Sequence, residues 1–270
     1  MKNKLLLSLL NEWLVLFLAA EIFAQSPFKT DTETEAILLA SSAGIMLASE
    51  MVWDSIQPIT EDEISRLSKF DINSFDRWAV NPYSAKISRA SDALLGVCAL
   101  APLILFTEEK IRSDYFVNGL MYGETLVATY FLTNLIKSNG RLRPFLYDPA
   151  VPVTKKLTWG KDAKASFPSG HTSLAFASAV LFSTIYSDYF PESKYRPLVW
   201  TSSLLLASSV GYLRLAAGVH FPTDIVAASA IGSLVGIFIP YLHRNNNAKE
   251  TSNNWSYQIN PVQIRIVYHF

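Results

Sequence analysis

The chain has 270 residues and a mass of 30.1 kDa, room for one or two domains at about 150 residues each. Its 23 Lys and Arg balance 23 Asp and Glu, which argues against a nucleic-acid binder with its basic excess. Charged residues are 17%, apolar residues 50% and mean hydropathy +0.21, so the chain is not disordered and can bury a large core.

Lys2 and Lys4 precede the apolar stretch LLLSLLNEWLVLFLAA, followed by EIFAQS. That pattern predicts a secretory signal cleaved after Ala24, or else an uncleaved anchor. Six further segments read as helices: Glu35–Trp53, Ser91–Phe106, Tyr115–Ile136, Thr172–Ser187, Leu198–Leu213 and Thr223–Leu242. Cys98, the single cysteine, lies in the second, in the run LLGVCALAPLILF, as a buried inert thiol; alone it excludes an internal disulfide and a thiolate zinc site. The sixth segment has no charge from Ile225 to Tyr241 and is the best bilayer span. Others are shorter, or interrupted as by Asn118 and Glu124 in the third, so the pattern lies between a membrane bundle and a soluble helical core. The membrane reading is favoured.

Between the first two helices, Asp54–Arg89 is charged and rich in turn formers. It reads as an extramembrane connector, with a substrate-access lid as the sharper alternative. Thr60 and Glu63 predict a capping box and a short helix there. After His243 comes the polar run RNNNAKETSNN, then apolar residues at every second position from Val262 to Phe270. One amphipathic strand in a tail is expected. The chain thus divides into a signal or anchor (1–24), a first helix and connector (25–90), a helical core (91–243) and a tail (244–270).

Three clusters at helix ends carry chemistry. The first places Lys137, Arg141 and Arg143 just after the third helix; taken alone it reads equally as a positive-inside anchor. The second is Pro168-Ser169-Gly170-His171, opening the fourth helix. Free N–H groups at a helix start attract anions, Gly170 permits close backbone approach, and His171 can exchange a proton near neutral pH. A helix cap with an incidental histidine is the plain alternative. The third runs from Arg214 through His220 to Asp224, where a carboxylate bonded to one imidazole nitrogen would leave the other as nucleophile. In an up-down bundle the three clusters share one face. Lys137, Arg143 and Arg214 then converge on two histidines and one aspartate, which suits phosphoryl transfer through a covalent histidine.

These residues resemble the type 2 phosphatidic acid phosphatase/haloperoxidase superfamily, whose pattern is Lys-x6-Arg-Pro, Pro-Ser-Gly-His and Ser-Arg-x5-His-x3-Asp. The second motif is complete, and the third matches from Arg214 to Asp224. The lysine position falls on Ile136, with Lys137 one residue nearer to Arg143, and Leu213 stands where the pattern has serine. The resemblance covers roughly Ser91–His243. It implies an all-α six-helix bundle, with the signal-like start and tail strand added.

It also implies roles. His220 attacks phosphorus, Asp224 orients it, and His171 protonates the leaving oxygen. Lys137, Arg143, Ser169, Gly170 and Arg214 hold the phosphoryl oxygens, with Arg141 a possible substitute for the lysine. The scheme requires no metal and no cofactor. The implied substrate is a lipid phosphate or diphosphate, with the membrane as surroundings and neither nucleic acid nor an obligate protein partner. The competing readings are a soluble exported acid phosphatase, a vanadate-dependent haloperoxidase and a non-enzymatic phospholipid-binding membrane protein. Six spans place the motif face in the cytoplasm. The favoured periplasmic site needs one segment not to span, and Glu35–Trp53 is the candidate.

Overall fold

The computed structural model describes residues 26–245, 255–260 and 263–268. The signal or anchor expected at residues 1–24 lies outside them. Six long helices carry the architecture: α1 (Thr32–Ser55), α2 (Ala85–Ile104), α3 (Tyr115–Ile136), α4 (Gly170–Tyr189), α5 (Arg196–Ala216) and α6 (Pro222–Leu242). Three short helices, Glu61–Ser65, Glu109–Ser113 and Val153–Leu157, bring the total among the described residues to nine. The all-helical class stands, with more helices than a strict six-helix bundle.

Local chemistry sets the helix starts. Asp31 accepts the Thr34 N–H at 3.1 Å, Ser84 accepts the Ile87 N–H at 3.4 Å, and Pro222 begins α6 where no N–H is needed. The Thr60–Glu63 capping box forms as expected. α2 begins at Ala85, earlier than the predicted Ser91. Its first turns are polar because Ser88 and Ser91 are buried against a charged neighbour, not exposed in a loop.

α4 is the centre of the bundle, with buried residues along its whole length from Thr172 to Tyr189. α6 lies against it backbone to backbone. A Cβ at Gly232 would collide with the Ser173 carbonyl oxygen, and one at Gly236 would meet that of Ala177 at 2.7 Å. Small α4 residues such as Ser173 and Ala177 complete this contact. A second core caps the helix ends: Ile59 and Ile64 pack with Phe145, Leu146 and Val219, and Trp159 leans on this group. The Asp54–Arg89 segment is therefore not a solvated connector; it buries Ile59, Ile64, Ile72 and Ala79.

By length and composition four segments can cross a membrane: Thr32–Ser55, Ala85–Thr107, Arg196–Ala216 and Pro222–Leu242. The first includes the segment expected not to span, yet it has 24 residues and a mean hydropathy of 1.6. Its Leu39, Leu47 and Met51 stand exposed, an apolar face suited to lipid.

Residues 30–243 form this compact unit; residues 1–29 and 244–270 form another. In the latter, Phe28 pairs with Arg244 in an isolated bridge. Strand β1 (Trp255–Asn260) pairs antiparallel with β2 (Gln263–Tyr268), Trp255 opposite Tyr268. The tail thus holds two strands, not one. The first has the same two-residue alternation, but over only six residues beside a polar run.

Replacing Gly232 by leucine should force α6 off α4. We expect a loss of about 2 kcal/mol, read as a fall of several degrees in the thermal midpoint of the detergent-solubilised protein.

Candidate active site

The three clusters do meet at one end of the bundle. Arg143 follows the α3 exit and is nearly buried, at 5% exposure. Its Nε donates to the Asp162 carbonyl (2.7 Å), and its Nη1 lies 3.0 Å from the Val219 carbonyl and 3.3 Å from His220 Nε2. Its guanidinium also stacks 5.2 Å from the Trp159 ring. Arg214, in the last turn of α5, donates through Nη1 to Ser88 Oγ and Ser91 Oγ, both at 3.1 Å, and to Asp92 Oδ1 at 3.4 Å. Its buried Nε has no hydrogen-bond partner among the described residues, so one donor is left to spend.

Lys137 opens a 3₁₀ turn, Lys137–Asn139, directly after α3. Its Nζ lies 3.3 Å from where a Cβ would stand on Gly170. The displaced lysine therefore reaches the Pro-Ser-Gly-His turn, and the absent side chain of Gly170 makes room for it. Burial, then the nearby Arg143 and Arg214 charges, pushes the Lys137 ammonium down to about 8. The same two causes, burial and the Arg214 charge, lower the Arg143 guanidinium to about 10. Ser169 is buried and caps α4, accepting from the Thr172 hydroxyl at 2.9 Å.

His220 lies in the short link between α5 and α6 and is 1% exposed. Its Nδ1 is 2.7 Å from the Ser166 carbonyl, which can only accept. The proton therefore belongs on Nδ1, and Nε2 keeps its lone pair beside Arg143. Burial, followed by repulsion from Arg143, Arg214 and Lys137, holds the imidazole well below its usual range, so it is neutral at pH 7. Asp224 does not play the expected direct part. Its Oδ2 is 3.5 Å from His220 Nδ1, an electrostatic contact but not a strong hydrogen bond. Its oxygens instead accept from Ser166 Oγ (2.6 Å), the Phe221 N–H (2.7 Å) and Arg141 Nη1 (2.5 Å).

Arg141 does not substitute for the lysine. Its guanidinium joins Asp224 to Asp76 Oδ2 (2.6 Å) and covers the Phe221 ring at 4.5 Å. Asp76 was missed in the sequence because it stands in a segment that reads as solvated. It is fully buried, and Thr223 donates to it from both its N–H and its hydroxyl, while Asn73 adds a third donor. Burial opposes its charge, but these donors and Arg141 outweigh that effect and hold the carboxyl below its usual range. Asp92 was missed too. Its Oδ1 lies 2.8 Å from His171 Nε2, so it orients that ring and neutralises part of Arg214. A lone acid in the apolar stretch SDALLGVCALAPLILF was the signal available for it.

Lys137, Arg143 and Arg214 outnumber Asp92 around this pocket. It repels a metal cation and attracts an oxyanion. A neutral histidine presents its lone pair there, and a second histidine, paired to a carboxylate, stands on the next helix start. The arrangement can hold a phosphoryl group, attack it and handle a proton.

The family model of the PAP2 superfamily matches residues 118–248, a stretch that holds all three motifs, so the comparison supports the resemblance read from them. It is 27% identical over 136 residues to the lipid A 4′-phosphatase of Porphyromonas gingivalis, covering 50% of this chain and 54% of that one. It is 37% identical over 76 residues to the lipid A 1-phosphatase of the same organism, covering 27% of this chain and 15% of that one. The chain thus spans about half the length, or less, of these curated relatives. A transmembrane PAP2-type phosphatidylglycerolphosphate phosphatase from Bacillus subtilis superposes with a TM-score of 0.45 at 19% identity, over 78% of this chain and 98% of that one. With four span-length apolar helices, the chain is a multi-pass membrane protein.

Replacing Arg141 by alanine leaves two buried carboxylates without their shared cation. We expect a loss of about 3 kcal/mol in detergent unfolding, and a smaller loss in an Arg141→Ala/Asp76→Asn double variant.

Proposed function

We propose that the protein is a phosphatase that hydrolyses a lipid phosphate or lipid diphosphate through a phosphohistidine, with no metal in the reaction. The observation that carries this reading is His220: a neutral ring, fixed by its Nδ1 proton on the Ser166 carbonyl, with Nε2 against Arg143. In the proposed first step Nε2 donates its lone pair to phosphorus as the bond from phosphorus to the leaving oxygen breaks. Burial and the Arg214 charge lower the His171 imidazole to about 4, so in the proposed step the substrate's negative charge, with Asp92, supports the protonated ring that gives that oxygen a proton. Lys137, Arg143 and Arg214, with the N–H groups at the start of α4, take the charge on the other oxygens. The imidazolium that forms is steadied by Asp224 at 3.5 Å. In the second step His171 removes a proton from water, the water oxygen bonds to phosphorus, and the P–N bond returns its pair to His220.

The lipid side of the proposal is supported by the apolar helices around the site and by the two lipid A phosphatase relatives from Porphyromonas gingivalis. We also propose that the site faces the periplasm; with α1 long enough to cross, this orientation puts the start of α1 on the cytoplasmic side.

The test is phosphate release in EDTA at 25 °C from a lipid A phosphate, a phosphatidate, a prenyl diphosphate and a water-soluble monoester. Release from a lipid that falls about 10⁴-fold in His220→Ala is the expected result. Release confined to the soluble ester overturns the lipid assignment, and a requirement for added metal in the well-folded enzyme overturns the metal-free step. Intact spheroplasts should hydrolyse externally added substrate; hydrolysis only after lysis reverses the orientation.

The pH profile follows from Lys137. Its ammonium binds phosphate only while protonated, so kcat/KM should fall as pH rises through about 8. Lys137→Arg keeps its charge and should move that alkaline limb upward. His220 is already neutral, so its protonation should cost no rate between pH 7 and pH 6.

A further inference from the structure

At the other end of α6, 21 residues and about 30 Å from the phosphate pocket, lies a second cluster of ionisable groups. His243 caps α6, Glu35 stands in the first turn of α1, and Glu124 lies midway along α3. The His243 side chain is fully buried, and those of Glu35 and Glu124 are 18% and 11% exposed. His243 Nδ1 is 3.0 Å from the Ile239 carbonyl, which accepts a ring proton when Nε2 serves as a ligand. Nε2 then turns its lone pair toward Glu35 Oε1 at 3.0 Å and Glu124 Oε2 at 3.4 Å. Both Glu124 carboxylate oxygens are buried, with Glu35 and His243 as their polar neighbours. With the ring proton on Nδ1, three acceptors face one another, an arrangement that needs a cation or shared protons between them in a low-dielectric bundle.

We propose that Glu35, Glu124 and His243 bind one first-row divalent cation of the zinc class, which clasps α1, α3 and α6. One ligand atom from each residue lies within 4.8 Å of the other two. Two atoms each about 2.1 Å from a tetrahedral metal stand about 3.4 Å apart, close to the 3.0 and 3.4 Å that separate Nε2 from the two carboxylates. One imidazole nitrogen with two carboxylates favours zinc or its neighbours over magnesium or calcium. A dication cancels both carboxylate charges, whereas a proton on Nε2 cancels only one. The Ile239 carbonyl acts as the outer partner that fixes the imidazole tautomer for metal binding.

The site is independent of the phosphatase reading, so its test does not use turnover. The full-length protein in detergent is stripped with EDTA, equilibrated with Zn²⁺, desalted and assayed for metal. Wild type should keep about one zinc per chain, and Glu124→Gln and Glu35→Gln should keep little. Excess Zn²⁺ should raise the thermal midpoint of wild type by about 5 °C and leave that of Glu124→Gln unchanged. If Glu124→Gln does not fold, Glu35→Gln and the wild-type midpoint shift decide the matter. Wild type that retains no zinc, or variants that retain as much as wild type, overturn the proposal, as does a midpoint that zinc does not move.

Discussion

The crowding of Lys137, Arg143 and Arg214 into one buried space is the constraint on which the site depends. Two unit charges about 6 Å apart repel by about 3 kcal/mol at an effective dielectric constant of 20, and here there are three. The fold meets this with oxygen: the Asp162 and Val219 carbonyls on Arg143, and Ser88, Ser91 and Asp92 on Arg214. These acceptors leave a positive excess in the pocket. Burial first, and this excess second, lower the proton affinity of Lys137 and His220. A buried, positive pocket thus attracts the phosphoryl group, keeps the nucleophilic nitrogen unprotonated and sets the upper pH limit of the lysine.

Such a charge cluster needs a stiff frame, because a shift of the helix ends would let the cations separate. The close contact of α4 with α6 through Gly232 and Gly236 supplies it along the bundle axis. At the site end the clamp of Asp76, Arg141 and Asp224 fastens the 56–84 connection to the first turn of α6. Asp224 is therefore a structural hub as much as a partner of His220. Ser166 belongs to the same hub, since its hydroxyl donates to Asp224 while its carbonyl fixes the His220 tautomer.

Residues whose role follows from local pattern were legible in the sequence. All six long helices, the Thr60 capping box and the meeting of His171, His220, Arg143 and Arg214 were of this kind, since periodicity and helix-end chemistry are short-range. Asp76 and the extra turns of α2 were not. Both sit in polar stretches, and only tertiary packing decides whether a polar residue is solvated or buried against a charge. Arg141 illustrates the same limit. It is two residues from Arg143, yet its fork turns toward Asp76 and Asp224, partners 65 and 83 positions away. Nothing local separates the two arginines. The pairing of β1 with β2 was half legible, because the alternation of Trp255, Tyr257 and Ile259 adjoins a polar run.

The lysine offset shows what the site requires. One further step along an α-helix turns a side chain by about 100°, enough to take Lys137 away from the pocket had α3 continued. α3 instead stops at Ile136, and the next turn is 3₁₀, closed by Gly140 at φ +70°. That turn rises about 2.0 Å per residue with three residues per turn, which changes both the height and the direction of Lys137. The four-carbon stem covers the remaining distance and brings Nζ to Gly170. A guanidinium must present its planar fork in a fixed orientation, whereas an ammonium acts as a point charge on a flexible stem. The position that tolerates a shift in register is thus the one that contributes charge alone. Arg143 and Arg214 are fixed by several acceptors each and keep their places in the pattern.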